Sequence, residues 1–280
     1  MKIFNLLFET IIEALFPLSA TEKELFSYPI TEISQILPPA PDHSGLAVPL
    51  PECTSLFAYK DKRVEQLIWN IKYKKSRRAV EIGGYALHRK LNSIAESSGR
   101  EFSRNTPSEL ASSAASSQTS TRPPKCSSNS SQSDDHLNTI FILPIPITKQ
   151  RRRERGYNQC ELLTNEMKRL YENDSIINNT MTNVRLLFEN DLLIRTHHDS
   201  RHTLKGRTDR VESAKGIFGI NEKKLRELDL RFENDKKQTI EDVYVIIIDD
   251  VITTGSTMRE AIDTMKKSGF MNVSGLSLAH

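Results

Sequence analysis

The stretch VYVIIIDDVITTGSTMREAI, residues 243–262, constrains the fold more than any other part of the chain. Its first half is an aliphatic run rich in β-branched residues, the pattern of a strand buried on both faces of a parallel sheet. Its second half has the apolar spacing of an amphipathic helix. A buried strand followed by a helix is the repeating unit of α/β proteins. The stretch therefore predicts an α/β fold.

Strand and helix patterns alternate along much of the remaining chain, which predicts a mainly parallel sheet flanked by helices. The predicted elements are a strand at LFAYK, helices with apolar faces at 64–71 and 79–87, a strand at NTIFILPIP, a helix at YNQCELLTNEMKRLYEN, a strand at LLFENDLLIRT and a final strand at NVSGLSLA.

Composition divides the 280 residues into four segments. Residues 1–52 are predicted to form an N-terminal amphipathic helix followed by irregular, Pro-rich chain. Residues 53–96 form the N-terminal part of the sheet domain, and residues 137–280 form its core. Between them, residues 97–136 are so rich in Ser and so poor in aliphatic residues that we expect a disordered insertion.

The N-terminal stretch has one apolar face, but Glu9 and Glu13 interrupt it, so we expect no stable membrane insertion. The net charge is +3, from 39 basic and 36 acidic residues, so any basic site must be local. The three cysteines, Cys53, Cys126 and Cys160, are widely spaced and indicate neither a disulfide framework nor a zinc site. A reducing cytoplasm fits this cysteine usage best.

Two adjacent carboxylates, Asp249 and Asp250, stand where the predicted central strand ends, which is where ligands bind in such sheets. The loop that follows supplies four hydroxyls and a glycine: Thr253, Thr254, Gly255, Ser256 and Thr257. Thr257 and Glu260 have the spacing of a capping box, which predicts a helix start there. Backbone N–H groups and hydroxyls at a helix start form a phosphate cradle, and the carboxylates would accept hydrogen bonds from a sugar.

A nucleotide hydrolase is the alternative for an aliphatic strand that ends in Asp. Such a protein needs a GxxxxGK[ST] phosphate loop, and the chain has none. A merely structural turn would not account for two acids, the TTGST run and the capping-box spacing together. The pattern favours a loop that binds a ribose and its 5'-phosphate.

The segment VIIIDDVITTGST resembles the signature of the type I phosphoribosyltransferases, which bind phosphoribosyl pyrophosphate (PRPP). Three further segments resemble the ComF family of phosphoribosyltransferase-like proteins associated with natural competence: LFAYKDKRVEQLIWNIKYKKSRR, ILPIPITKQRRRERGYNQCELL and LIRTHHDSRHTLKGRTDRVESAKGIF. This resemblance implies a type I phosphoribosyltransferase fold with a flexible hood, and a PRPP-binding core at residues 137–280. It also implies Mg²⁺ bound through PRPP, with Asp249 and Asp250 as the catalytic residues.

The chain departs from the ComF pattern in two places. The family usually opens with a four-cysteine zinc module, but no cysteine pair follows residues 15–17, so we expect no zinc and no direct metal ligand. In the hood loop, Arg201 and Ser213 stand where the family tends to carry Gln and Asn. Three histidines nearby, His197, His198 and His202, lack a cysteine partner and favour a mobile loop over a metal site.

Three groups of cations accompany the strand-end motif. The first group follows the predicted strand NTIFILPIP and consists of Lys149, Arg151, Arg152, Arg153 and Arg155. These cations would bind pyrophosphate, contact a nucleic-acid backbone or form a solvated face. The hood loop would close over phosphates with Arg201, Lys205, Arg207 and Arg210. A third group, residues 72–78, is predicted to be a solvated helix end, although Trp69 and Tyr73 beside it leave single-stranded DNA binding open.

Two functional hypotheses follow from the residues and the resemblance. The first is an enzyme that transfers phosphoribosyl from PRPP to an unknown acceptor with release of pyrophosphate. The second is a protein without catalysis that senses PRPP or handles single-stranded DNA during DNA uptake. The sequence fixes neither the acceptor nor the oligomeric state, for which a dimer is one option.

Overall fold

The computed structural model describes residues 18–43, 46, 50–102, 138–173, 184–196, 216–235 and 239–280. The predicted N-terminal helix at residues 1–17, insertion residues 103–136 and the hood-loop residues 197–215 lie outside the described residues. The predictions for Arg201, Lys205, Arg207 and Arg210 and for the three histidines therefore stay predictions.

A five-stranded sheet, with order β1-β7-β6-β2-β3, forms the centre of the protein. All four strand pairings within it are parallel. Its strands are β1 (Cys53–Phe57), β2 (Asn138–Pro144), β3 (Val184–Phe188), β6 (Tyr244–Val251) and β7 (Asn272–Ala279), while β4 (Leu193–Arg195) and β5 (Phe218–Ile220) form a separate antiparallel ribbon. The predicted α/β fold with a parallel sheet flanked by helices is confirmed, and it is compatible with the type I phosphoribosyltransferase fold.

Helices cover both faces of the sheet. They are α1 (Ala20–Ser27), α2 (Ile33–Ile36), α3 (Lys62–Trp69), α4 (Arg77–Phe102), α5 (Lys149–Arg155), α6 (Gln159–Asn173), α7 (Glu222–Asp235) and α8 (Ser256–Lys267). Apolar residues of α1, α3, α4 and α6 pack on one face together with Ile246 and Ile248 of β6. Residues of α7 and α8 pack on the other face with Val245 and Ile247. The aliphatic run of β6 is thus buried on both faces, as its composition predicts.

Residues 19–52 are more regular than predicted, because they contain α1 and α2. Ser19 caps α1: its hydroxyl accepts a hydrogen bond from the backbone of Glu22, whose side chain accepts one from the backbone of Ser19. The S-x-x-E pattern of this capping box is a helix-start signal in the sequence, although the Pro-rich composition of the segment favours irregular chain.

The segment LLFENDLLIRT is two strands and not one. β3 ends at Phe188 and joins the main sheet beside β2, whereas β4 begins at Leu193 and pairs with β5. The polar residues 189–191 make the turn between them.

The helix α4 extends beyond the predicted start of the Ser-rich insertion. It continues to Phe102, so its backbone includes the first six residues of that segment. Within the described parts of the chain, no helix is both long enough and apolar enough to cross a membrane.

Candidate functional site

The carboxylate pair lies at the carboxyl end of β6, the central strand of the sheet. The Asp250 side chain is buried and accepts a hydrogen bond from the backbone of Val251. The Asp249 carboxylate accepts one from the backbone of Asp250, over 2.8 Å. Two adjacent acids are therefore held in fixed directions at the sheet edge where ligands of such folds bind.

Lys72 is the counter-ion of Asp250. Its Nζ lies 2.9 Å from Oδ2 of Asp250, and the two side chains are only 22% and 5% exposed. Burial alone would lower the pKa of the Lys72 ammonium, but the attraction of Asp250 outweighs it and the net shift of the pKa is upward. Lys72 is thus an exception to the prediction that residues 72–78 are mostly a solvated helix end.

The backbone around Lys72 explains how a lysine reaches the strand end. Residues Asn70–Lys74 form a π-helical turn at the end of α3, and Lys75 stops it in the left-handed conformation with φ 51°. Such turns displace side chains from the ordinary helical positions and recur at functional sites. Lys74 leaves the same turn in another direction, where its Nζ lies 2.7 Å from the buried carboxylate of Glu22.

Asp249 faces Cys160, whose Sγ lies 3.5 Å from Oδ1 of Asp249. Burial and the neighbouring Asp250 raise the pKa of Asp249 well above its usual range. Burial, followed by the negative charge of Asp249, raises the pKa of the Cys160 thiol as well, so this cysteine stays neutral. Ligand atoms of Cys160, Asp249 and Asp250 lie within 4.8 Å of one another, a spacing that could hold a metal ion. The absence of a direct metal ligand stays a prediction.

The loop after the carboxylates folds tightly against the start of α8. The hydroxyls of Thr254 and Ser256 lie 2.9 Å apart, and Gly255 adopts φ 81°, a left-handed conformation that suits glycine. A cavity of about 30 Å³ lies between Asp249 and the loop, lined also by Thr253 and Thr257.

The predicted capping box of Thr257 and Glu260 is wrong. The N-cap lies two residues earlier, at Gly255, and the helix begins at Ser256 without a side-chain cap. Glu260 instead accepts a hydrogen bond from the backbone N–H of Gly216, next to the β4–β5 ribbon. Among the described residues, no side chain therefore caps the N–H groups in the first turn of α8. Gly216, which Glu260 contacts, is the first described residue after the predicted hood loop.

The arginine-rich segment forms helix α5, which follows β2 at the same sheet edge as the carboxylates. Thr148 caps it by accepting a hydrogen bond from the backbone of Arg151. Arg152 pairs with Glu161, while Arg155 donates to Gln159 and places its guanidinium 5.0 Å from the ring centre of Tyr73. Lys149, Arg151 and Arg153 of this cluster are exposed, as is Arg152 with its partner Glu161, whereas Arg155 is half-buried.

The residues after α5 connect this helix to the π-helical turn. Gly156, at φ 79°, ends α5, and the Tyr157 hydroxyl donates a hydrogen bond to the carbonyl of Ile71. The Asn158 amide donates to the carbonyl of Ile145, and its oxygen accepts from the backbone of Cys160 at the start of α6. This segment thus aligns the arginine helix, the π-helical turn and Cys160.

Sequence reasoning missed Lys72 and Cys160 as members of the site. Ordinary helical spacing does not identify Lys72, because it lies after α3 in the π-helical turn, where side chains leave the usual helical positions. A buried cysteine at a helix start carries no signal in a single sequence either.

Fold and site together define an α/β protein with a parallel sheet and a carboxylate–hydroxyl loop at the end of its central strand. No protein-family model matches the chain. The chain is a distant relative of Competence protein F from Haemophilus influenzae, with 27% identity over 138 residues. The match covers 49% of this chain and 49% of that protein, so the chain spans about half the length of the curated relative it matches.

Proposed function

We propose that the chain is a PRPP-binding, phosphoribosyltransferase-like protein of the ComF type, which transfers phosphoribosyl to an acceptor and releases pyrophosphate. One observation carries the proposal: two fixed carboxylates end the central strand, and a hydroxyl-rich loop leads from them into a helix start without a side-chain cap. The likeness to Competence protein F supports the family part of the proposal.

Each part of PRPP has a matching group at this edge. Asp249 and Asp250 would accept hydrogen bonds from the ribose hydroxyls. The 5'-phosphate would bind the loop from Thr253 to Thr257, because N–H groups and hydroxyls at a helix start attract anions. Arg151 and Arg153 would contact the pyrophosphate, since guanidinium groups match phosphate oxygens in bidentate geometry.

Two of the three residues in the donor set at the strand end, Asp249 and Asp250, offer carboxylate oxygens, which are ligands that magnesium prefers, whereas the third, Cys160, offers a thiol that magnesium does not. Magnesium bound through PRPP would supply positive charge at the pyrophosphate oxygens. Lys72 places a second positive charge beside Asp250 and holds that carboxylate in position.

The reaction breaks the bond between ribose C1 and the pyrophosphate oxygen, and the electron pair leaves with pyrophosphate. C1 gains oxocarbenium character until the acceptor's lone pair forms the new bond. Asp250, and Asp249 once it has lost the proton that its raised pKa retains in the free protein, would stabilise this positive charge, because fixed carboxylates need no reorganisation when it develops.

Pyrophosphate release tests the transfer reaction. The purified protein is incubated with PRPP, Mg²⁺ and a panel of heteroaromatic bases and amines, and Asp249→Asn serves as the matched control. The proposal expects release that depends on one acceptor class and falls at least tenfold in the variant, as is typical when one electrostatic group is removed. If PRPP binds but no acceptor causes release of pyrophosphate, the transfer reaction is wrong and a PRPP-sensing role is favoured instead.

Single-stranded DNA handling is the second candidate function, and the exposed rings of Trp69 and Tyr73 beside basic residues favour it. Binding of a single-stranded oligonucleotide that weakens steeply with salt, without turnover of PRPP, is its expected signature. Arg151→Gln/Arg153→Gln would then weaken binding, whereas Lys168→Gln on the exposed face of α6 would not.

A further inference from the structure

A cavity of about 570 Å³ opens beside β1, the strand at one edge of the sheet. Its volume lies within the range of about 300–1,000 Å³ that is usual for small-molecule sites. The polar side chains that line it include His43 and Ser55, and its apolar lining includes Ala40, Leu50 and Pro51. None of these residues belongs to the proposed PRPP site.

His43 and Ser55 form a hydrogen-bonded pair on the wall of this cavity. Nδ1 of His43 lies 3.1 Å from the carbonyl oxygen of Cys53. A carbonyl oxygen can only accept, so Nδ1 carries the proton and Nε2 of the neutral ring is an acceptor. The Ser55 hydroxyl, whose oxygen lies 2.8 Å from Nε2, therefore donates to His43. A nucleophile, its base and a group that orients the base are thus arranged in sequence.

The surroundings of His43 favour the neutral form of its ring. Burial, followed by the nearby His280, lowers the pKa of His43 below its usual value, and hydrogen bonds to backbone carbonyls and the charge of Asp42 offset only part of this shift. The rings of His43 and His280 meet edge to face, with their centres 4.9 Å apart. A neutral His43 has a lone pair on Nε2 and can accept the proton of Ser55.

Ser277 fixes the Ser55 oxygen from the other side. It is the neighbour of Ser55 in the parallel register of β1 and β7, and the two hydroxyl oxygens lie 2.6 Å apart. Because the Ser55 proton is directed to His43, the fully buried Ser277 donates in this contact, and its hydroxyl also lies 3.2 Å from the carbonyl oxygen of Ala279. Ser55 is therefore held two residues before the end of β1, near the carboxyl ends of the strands, where ligands bind in parallel sheets.

We propose that this cavity, the β1 cavity, is a second reaction site in which Ser55 is the nucleophile and His43 the general base for hydrolysis of small carboxylic esters. The inference goes beyond the proposed PRPP function and does not depend on it. The apolar lining of the β1 cavity suits a short acyl chain. A backbone carbonyl orients His43, where hydrolytic triads use a carboxylate, so the imidazolium is stabilised less and esters are favoured over the less reactive amides.

The reaction proceeds in two balanced steps. The Ser55 oxygen bonds to the carbonyl carbon of the ester, and its proton passes to Nε2 of His43. The bond to the leaving alcohol then breaks with its electron pair on the alcohol oxygen, which takes the proton from His43. Water attacks the acyl-serine by the same route, which releases the carboxylic acid and restores the Ser55 hydroxyl.

Labelling with a fluorophosphonate tests the nucleophile, because this reagent forms a stable covalent bond with activated serine hydroxyls. The full-length protein is treated with the reagent, and the adduct is counted by intact mass and located by peptide mapping. The inference expects one adduct per chain, on Ser55. No adduct on the folded wild type, or an adduct on another serine, would overturn it without the need for any variant.

Hydrolysis of p-nitrophenyl butyrate tests the roles of the two residues. Ser55→Ala should abolish turnover above the uncatalysed rate, and His43→Gln should lower it about 100-fold, since a general base typically contributes at least that factor. Ser93→Ala, at an exposed position of α4, is the matched control and should hydrolyse the ester like the wild type. Circular dichroism confirms that each variant is folded.

Calorimetric titration of PRPP into the same variants separates the β1 cavity from the proposed PRPP site. Ser55→Ala and His43→Gln should bind PRPP like the wild type. Ester hydrolysis without PRPP binding would support the β1 cavity and contradict the PRPP site alone. Equal hydrolysis by the wild type, Ser55→Ala and His43→Gln would overturn the second reaction site, and so would loss of PRPP binding in both variants, which would assign the cavity to the PRPP site.

Discussion

At the scale of single residues, the site depends on one lysine that the strand-end motif does not contain. Asp250 is buried, and a buried charge persists only with a partner. Lys72 provides that partner from a distant part of the chain. The same carboxylate is therefore fixed for the proposed ribose contact and also connects the N-terminal helices to the sheet.

Replacement of Lys72 by methionine tests this pair. The variant leaves the Asp250 carboxylate buried without its counter-ion, and loss of one partner from a buried pair costs about 3 kcal/mol. We expect the free energy of unfolding in urea to fall by about that amount. The double variant Lys72→Met/Asp250→Asn should recover part of the loss, because a neutral amide needs no counter-ion. A loss below about 0.5 kcal/mol would show a pair that behaves like an exposed one.

Gly255→Ala tests the strand-end loop, and Gly269→Ala is its matched control at the other end of α8. Both glycines have left-handed φ, 81° and 98°, so each substitution should cost about 1 kcal/mol of stability. Only Gly255→Ala should weaken PRPP binding, because only that residue lies in the loop. Equal PRPP affinities for the two variants, measured by calorimetry, would contradict the phosphate assignment.

At the scale of elements, the N-terminal helices are attached through buried polar contacts as well as apolar ones. Burial by itself would raise the pKa of Glu22, but hydrogen bonds from Lys74, the Ser19 backbone and Asn70 outweigh it and lower the pKa to about 2. Glu22 thus holds α1 against the π-helical turn, and with it the position of Lys72.

The pH dependence of stability follows from the lowered pKa of Glu22. A carboxylate whose pKa falls from 4.5 to about 2 on folding stabilises the protein above pH 4.5 and loses that contribution as the pH falls toward 2. Glu22→Gln should lower the unfolding free energy by about 3 kcal/mol above that window and by almost nothing at its lower end. Glu24→Gln, in the same helix but 51% exposed, is the control. A pH-independent difference would contradict the role of Glu22.

Close packing of α4 on α6 sets the position of the helix that carries Cys160. A Cβ on Gly84 would lie 2.5 Å from Cγ of Glu166, so no larger side chain fits without a shift. Alanine ordinarily stabilises a helix relative to glycine. Gly84→Ala should instead lower the melting temperature, by the equivalent of about 1–3 kcal/mol. Ser93→Ala, at an exposed position of α4, should not lower it, and a rise for Gly84→Ala would show looser packing.

At the scale of the whole molecule, the strand–loop–helix unit around β6 made the fold predictable. Aliphatic periodicity identified β2, β6, β7 and their helices, because burial on two faces leaves a clear pattern. The split of β3 and β4 was missed although the polar residues 189–191 form a turn between them, since both strands have similar composition and differ mainly in the strands with which they pair. Lys72 was missed because a π-helical turn and a contact distant in sequence determine its position.

The capping-box pattern after the carboxylates predicts the wrong cap but the correct region for a helix start. Thr257 and Glu260 have capping-box spacing, but the left-handed Gly255 moves the helix start and Glu260 pairs with Gly216. The uncapped helix start that results suits an anion better than the predicted capping box would.

Calorimetric titration of PRPP with Mg²⁺ into the full-length protein tests the central claim most directly, with Asp249→Asn/Asp250→Asn measured in parallel. Circular dichroism confirms that both proteins are folded before the titration. The account predicts saturable binding to the wild type and at least a tenfold loss in the double variant, equivalent to about 1.4 kcal/mol or more. Undetectable binding to the folded wild type, or equal binding to both proteins, would contradict the assignment of the strand-end loop as a PRPP site.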